Sequence, residues 1–174
     1  MQSVKVWDPV VRIFHWSLVL GFAANATLVS DHSPLHLWIG YGITGLVLFR
    51  ILWGFIGTYY ARFSSFPPSL SAAAGQLSDM VSGNKRSHRG HTPLGAWMIY
   101  NLLGSLLMIG LTGYMLTTTV LANANWVEDL HEICVGWAEL SVVLHILAVI
   151  LESRRTKVNL PRAMITGRKE IAVE

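Results

Sequence analysis

The chain has 174 residues, of which 13% are charged and 52% are hydrophobic, and its formal net charge is +3. A soluble domain of this size needs more polar surface, so the composition excludes an ordinary soluble protein and favours a single domain over residues 1–174 that is embedded in membrane lipid. The single cysteine, Cys134, excludes intrachain disulfides, iron–sulfur clusters and covalent C-x-x-C-H haem attachment. The basic residues lie at the ends of apolar runs and do not alternate with aromatic residues, which excludes a nucleic-acid interface.

Four apolar runs predict four transmembrane helices, because about 20 residues at a rise of about 1.5 Å match a hydrocarbon core of about 30 Å. The alternative for the first run is a secretory signal peptide, since Lys5 precedes it and Ala24-Asn25-Ala26 resembles a cleavage site. Arg12 and His15 interrupt the part that should be purely apolar, so we favour a membrane span. The predicted spans cover residues 10–29, 35–58, 94–120 and 127–151.

The connections between the spans differ in length. The second span follows a short turn that ends at Pro34, a residue that suits the first turn of a helix. The longest connection, 60–91, is polar enough to lie at or outside the membrane surface. Its 72–81 portion is predicted to form a short surface helix.

The Lys and Arg residues predict which side of the membrane each connection faces, because short loops rich in these residues stay cytoplasmic. All but Arg50 fall at the N-terminus, in the 60–91 connection or in the C-terminal tail: Lys5, Arg12, Arg62, Lys85, Arg86, Arg89, Arg154, Arg155, Lys157, Arg162, Arg168 and Lys169. The opposite connections, around Asp31 and at 123–129, contain none. Both termini are therefore predicted to be cytoplasmic, and the fold class is an all-α, up-and-down, integral membrane four-helix bundle.

Four of the seven histidines lie within or at the ends of spans, where ionisable side chains are costly and are functional candidates. His131 and His145 are 14 residues apart in the fourth span, close to four helical turns, so they share a face and differ in height by about 21 Å. His15 lies near the cytoplasmic end of the first span, and His36 begins the second span at the outer side. The sequence therefore predicts two pairs at matched heights, His15 with His145 and His36 with His131.

These pairs predict two b-type haems. A low-spin b haem needs two neutral imidazoles on opposite faces of one porphyrin, whereas zinc sites need three or four clustered ligands. A single intramembrane histidine can also be a hydrogen-bonded link between helices. His32, one turn before His36, is the alternative outer ligand, but it precedes Pro34 and lies outside the apolar run.

Other polar residues near the spans are further candidates. Arg50 is 14 residues from His36 and is predicted on the same face at the height of the cytoplasmic haem. A haem propionate would pair with its guanidinium there, and snorkelling to the interface is the alternative. Glu139 could be a proton relay for quinone chemistry or a structural carboxyl. His88 and His91 are expected to make surface or lipid contacts.

Five segments of the chain resemble the prokaryotic cytochrome b561 family: VWDPVVRIFHW (6–16), LHLWIGYGITGLVLFRILWGFIGTYYARF (35–63), GHTPLG (90–95), LHEICVGWAELSVVLH (130–145) and NLPRAMITGRK (159–169). The likeness is closer to the branch that contains the b-type cytochrome subunits of nickel–iron hydrogenases. It implies a four-helix di-haem bundle in the bacterial inner membrane that exchanges electrons with the quinone pool. The family's histidine ligands in spans one, two and four match His15, His36, His131 and His145.

The prediction is an electron-transfer subunit with two haem b groups and a quinone as a further ligand. The resemblance implies a periplasmic or membrane-bound redox partner, which could be a hydrogenase, another dehydrogenase or a c-type cytochrome. A related branch oxidises superoxide directly, but the outer loops lack cations to attract this anion and carry acidic residues instead: Asp31, Glu128, Asp129 and Glu132. A haem-free scaffold with histidines as contacts between helices is the third alternative.

Overall fold

The computed structural model describes residues 2–84 and 90–171, so His88 and the basic residues at 85, 86 and 89 lie outside the described residues. In chain order the elements are β1 (Gln2–Lys5), α1 (Pro9–Thr27), α2 (Pro34–Ile56), two 3-10 turns (Tyr59–Ala61 and Phe63–Ser65), α3 (Leu70–Val81), α4 (Pro93–Leu116), α5 (Asn125–Thr156), α6 (Leu160–Thr166) and β2 (Arg168–Ile171). By length and composition α1, α2, α4 and α5 can each cross a membrane. The four predicted spans are confirmed, and the chain is a multi-pass membrane protein.

Three of the long helices begin with the same device, a polar N-cap residue followed by proline. Asp8 Oδ1 accepts a hydrogen bond from the amide of Val11 at 2.9 Å and caps α1. The hydroxyls of Ser33 and Thr92 cap α2 and α4 in the same way. Because the cap satisfies a free amide and proline has the helical φ angle already, each helix has a defined start at the membrane surface.

The predicted starts of the spans agree with the structure to within two residues, but two ends differ. α4 stops at Leu116 because the hydroxyls of Thr117 and Thr118 donate to carbonyls three residues earlier, which closes the last turn. α5 continues to Thr156, past the predicted end at 151, and the pair between Arg155 and Glu152 supports this added turn.

The long helices pack in chain order, α1 against α2, α2 against α4 and α4 against α5. A shared hydrophobic core holds the first three together, and it consists of Phe14, Ile43, Val47, Leu103 and Leu106. In the part of the chain that the structure describes, α5 has at most isolated close approaches to α1 and α2. A gap therefore separates α5 from the α1–α2 pair.

A two-stranded sheet joins the two ends of the chain. β1 and β2 are antiparallel, with Gln2 opposite Ile171 and Lys5 opposite Arg168. This pairing places both ends on one side of the bundle, as an even number of crossings requires. The sheet itself was not predicted, so the fold is a helical bundle with one small added sheet.

The two short helices lie outside the membrane core. α3 confirms the predicted surface helix, and its Gln76 accepts a hydrogen bond from the amide of Leu94 at 2.9 Å, which holds α3 against the start of α4. α6 was not predicted. It is capped by Asn159, whose side chain accepts from the amide of Arg162 at 2.9 Å.

Candidate functional site

His15 and His145 form a pair across the gap between α1 and α5. The two imidazoles are close enough to interact electrostatically, although their helices do not pack closely. Nδ1 of His15 is buried and has no hydrogen-bond partner. The structure thus places these two side chains near each other across the gap.

His36 and His131 form a second pair, near the other face of the membrane. Both line one cavity of about 640 Å³, a volume that includes its open side. The two rings interact electrostatically, and Nδ1 of His36 is buried without a hydrogen-bond partner. We call this space the outer cavity.

Glycines shape the wall of the outer cavity where α2 meets α4. A Cβ at Gly110 would lie 2.3 Å from Oγ1 of Thr44, and one at Gly113 would lie 3.3 Å from Cε1 of His131. Both distances are too short for a comfortable contact. The absence of side chains here lets α2 approach α4 and leaves room around the imidazole of His131.

Two polar side chains lie beside the outer pair. Thr112 on α4 is fully buried, and its Oγ1 lies 2.8 Å from Nδ1 of His131. Asn25 on α1 lines the outer cavity and donates from Nδ2 to the carbonyl of His36 at 3.3 Å. Its Oδ1 is buried and has no hydrogen-bond partner. The outer pair therefore has polar neighbours on both α1 and α4.

Arg50 is buried near the opposite end of α2, with only 4% of its surface exposed. Nη2 donates to the carbonyl of Ala61 at 3.0 Å, and the guanidinium lies 5.2 Å from the ring centre of Phe63. Nη1 is buried, and within residues 2–84 and 90–171 it has no hydrogen-bond partner. Arg50 does not snorkel to the surface, and one of its donor groups is free to bind an anion.

Asp8 joins the start of α1 to the end of α2. Its Oδ2 accepts hydrogen bonds from the Thr58 hydroxyl at 2.5 Å and from Nε1 of Trp53 at 3.4 Å. Burial by itself raises the pKa of this carboxyl, but the hydrogen bonds from Thr58, Val11 and Trp53 outweigh burial and lower it. Asp8 is therefore an anion at neutral pH, in electrostatic contact with Arg50.

His91 is partly buried within the protein, although the sequence predicts a surface or lipid contact. Its ring lies between those of Trp7 and Phe66, with centroid distances of 4.6 and 4.2 Å, and its Nδ1 is buried without a hydrogen-bond partner. Burial, and then the positive charges of Lys169 and Arg50, lower the pKa of His91 to about 3. His91 therefore stays neutral at physiological pH.

Lys169 on β2 closes the same end of the bundle. Its Nζ donates to the carbonyl of Gly90 at 2.7 Å and lies 5.5 Å from the ring centre of Trp7. Burial lowers the pKa of Lys169 to about 8. We call Trp7, Asp8, Arg50, His91 and Lys169 together the inner cap.

The remaining candidates lie apart from the two pairs. The side chain of His32 is 89% exposed and contacts Asp31 at 2.6 Å. Glu139 is exposed on α5, and Cys134 is a partly buried free thiol. Of the two outer candidates, only His36 lines the cavity with His131.

The two pairs fit a haem iron better than a bare metal ion. Within residues 2–84 and 90–171, no three His, Cys, Asp or Glu side chains cluster as a metal ion would require. Each height instead offers two imidazoles from different helices. The 14 residues between His131 and His145 place the two sites about 21 Å apart along α5.

Sequence reasoning missed Asp8, Asn25 and Thr112. Only Asp8 had a usable signal, because an acidic residue before proline is a typical helix cap. Asn25 and Thr112 are single polar residues in apolar helices, and their positions become informative only when the neighbouring helix is known.

One of three comparisons with known proteins found a match. The family described as prokaryotic cytochrome b561 matches the chain over residues 6–167, which includes both histidine pairs and most of the inner cap. No curated protein and no solved structure matches the chain. Since the family match covers nearly the whole sequence, the chain belongs to the prokaryotic cytochrome b561 family and is a membrane electron-transfer cytochrome.

Proposed function

We propose that the chain holds two b haems, an inner one between His15 and His145 and an outer one between His36 and His131. It carries electrons across the bacterial inner membrane between a redox partner and the quinone pool. The observation that carries this proposal is the presence of two imidazole pairs that meet across the gap at different heights. One haem at each height accounts for that gap.

The side chains determine what such a site can do. A bound b haem supplies one-electron redox chemistry at its iron. His15 with His145, and His36 with His131, would hold the two haems, and a haem held by two imidazoles would leave no position for a substrate, which suits electron transfer. The apolar walls of α2 and α4 keep water from the outer site. Because the two pairs lie at different heights, electrons would cross the hydrocarbon core in shorter transfer steps.

Arg50 is the residue that we assign to a propionate of the inner haem. A buried guanidinium needs an anion, and a carboxylate is the partner that its planar donors match. Nη2 is satisfied by a backbone carbonyl, while Nη1 is not. Asp8 provides part of the compensating charge, and the propionate would provide the rest.

The orientation of the protein follows from charge. The Lys and Arg count places both termini and the inner cap on the cytoplasmic side, so the outer cavity faces the periplasm. A periplasmic or membrane-bound partner would then meet the outer haem. A hydrogenase, another dehydrogenase or a c-type cytochrome could fill this role.

Single histidine replacements test the two sites. Purified wild-type protein should show a b-type reduced-minus-oxidised spectrum with two haems per chain. His36→Ala and His131→Ala should remove the same haem, while His15→Ala and His145→Ala should remove the other one. His32→Ala is the matched control and should keep both. A colourless wild-type protein would refute the assignment. So would the loss of the same haem on replacing two histidines that we assign to different heights.

Electron exchange is tested in vesicles that contain the protein and a quinone. A quinol should reduce both haems, and loss of either haem should break transfer across the membrane. If quinol leaves the haems oxidised, the quinone link is wrong. If superoxide alone reduces the outer haem rapidly, the protein is a self-contained superoxide oxidase and needs no redox partner.

A further inference from the structure

The hydroxyl of Thr112 can donate to a carbonyl of its own helix. Its Oγ1 donates to the carbonyl of Met108, one turn earlier on α4, at 2.8 Å. The same oxygen lies 2.8 Å from Nδ1 of His131 on α5. A hydroxyl has one proton. When that proton forms the hydrogen bond to the carbonyl of Met108, the oxygen must accept a hydrogen bond from Nδ1–H of His131.

This hydrogen bond favours one tautomer of His131. A neutral imidazole has one proton, and with that proton on Nδ1 the lone pair is on Nε2. The carbonyl of Ile109 lies 3.1 Å from Oγ1 of Thr112, so the hydroxyl proton has a second acceptor within its own helix. The side chain is thus held with Nε2 ready to bind a metal.

His131 differs in this respect from its partner. Nδ1 of His36 is buried without a hydrogen-bond partner, as is Nδ1 of His15 in the inner pair. The protein therefore orients His131 before any cofactor binds, whereas it leaves the tautomer of His36 open.

We propose that Thr112 is a positioning residue for the outer haem, which it serves by orienting His131 and by making this imidazole a stronger ligand. The inference rests on the proposed function, because it assumes that His131 binds iron. A hydrogen bond at Nδ1 raises the basicity of the ligating nitrogen. A more basic ligand stabilises oxidised iron, so Thr112 also lowers the midpoint potential of the outer haem.

The test compares Thr112→Val with Thr112→Ser. Valine has nearly the same shape but no acceptor, whereas serine keeps the hydroxyl. We expect Thr112→Val to weaken outer-haem binding about 10-fold, which is within the range for such partners. The midpoint potential of the outer haem should rise, and Thr112→Ser should restore both quantities.

Ser105→Ala is the matched control. Ser105 is also on α4 and donates to its own helix, to the carbonyl of Asn101 at 2.8 Å. Its loss should leave both haems unchanged.

The outcomes separate this inference from the function on which it rests. Wild-type protein without haem would refute the proposed function. Two haems in the wild type, with an outer haem unchanged in Thr112→Val, would refute only the role of Thr112. If the valine variant does not assemble, Thr112→Ala should show the same selective effect. Equal loss of both haems in Thr112→Val and Thr112→Ala would mean that Thr112 is merely structural.

Discussion

Replacement of Gly110 by alanine should disturb the outer site and spare the inner one. A Cβ at this position would lie 2.3 Å from Oγ1 and 3.0 Å from Cγ2 of Thr44. Thr44 cannot turn away easily, because β-branched side chains have few helical rotamers and its Oγ1 donates to the carbonyl of Gly40 at 2.9 Å. α2 must therefore move away from α4, and α2 carries His36.

The magnitude follows from two opposing terms. An extra methyl group in a tight contact costs about 1–3 kcal/mol, while alanine is more favourable than glycine in a helix by about 1 kcal/mol. Gly110→Ala should therefore lower the free energy of unfolding by about 0–2 kcal/mol. Gly104 is the matched control on α4, since a Cβ there meets nothing within 4 Å. Gly104→Ala has the gain in helix propensity without the steric cost. The free energies of unfolding of the two variants should therefore differ by about 1–3 kcal/mol.

Thermal unfolding in detergent and haem content measure this difference. Gly110→Ala should lose part of the outer-haem signal and retain the inner one. Adding Thr44→Ala removes the two closest atoms, so that the next atom is Cβ of residue 44 at 3.2 Å, and the double variant should recover most of the loss. Equal stability of the two single glycine variants, or no recovery in the double variant, would refute the reasoning.

Three further predictions concern the inner cap. Asp8→Ala removes the cap of α1 and leaves the Thr58 hydroxyl unpaired, so it should lower the free energy of unfolding by about 2–4 kcal/mol in a thermal unfolding experiment. Asp8→Asn keeps the cap and should lower it less. Equal losses in the two variants would contradict this prediction. His91 takes up a proton near pH 6.5 in the unfolded chain. In the folded protein it does so only near pH 3, because its pKa is lowered to about 3. The unfolded state thus binds more protons between these values, and stability should fall as the pH drops, by at most about 1.4 kcal/mol per pH unit. His91→Phe should flatten this slope, and an unchanged slope would argue against His91 as its source. Arg50→Gln removes a cation beside the proposed inner haem. The midpoint potential of this haem should fall by about 59 mV for each tenfold loss in stabilisation of its reduced form, and Arg50→Lys should give a potential between those of the wild type and Arg50→Gln. A shift confined to the outer haem would exclude the propionate contact.

The sequence predicts the heights of the histidines because few quantities determine them. The rise of an α-helix is constant, and the membrane thickness fixes where each span starts and ends. Those constraints place His15 level with His145 and His36 level with His131. The polar turn before the second span also favours His36 over the exposed His32.

Lateral contacts could not be predicted in the same way. His91 follows a basic stretch that looks like surface, yet the pairing of β1 with β2 brings Trp7 and Lys169 over it. The strands are too short to show a clear alternation of polar and apolar residues. The burial of His91 therefore depends on a contact between the two ends of the chain.

α4 provides no histidine, yet it determines the height of both candidate histidines on α5. Asn101 donates from Nδ2 to the hydroxyl of Ser141 at 2.8 Å and accepts from Nε1 of Trp137 at 2.9 Å. Near the other end, Thr112 holds His131. A slip of α5 by one turn would move both imidazoles by about 5.4 Å and break these bonds in lipid, where no water replaces them. Because α5 packs closely on α4 but not on α1 or α2 among the described residues, the polar contacts of α4 are what keep the two sites level with their partners.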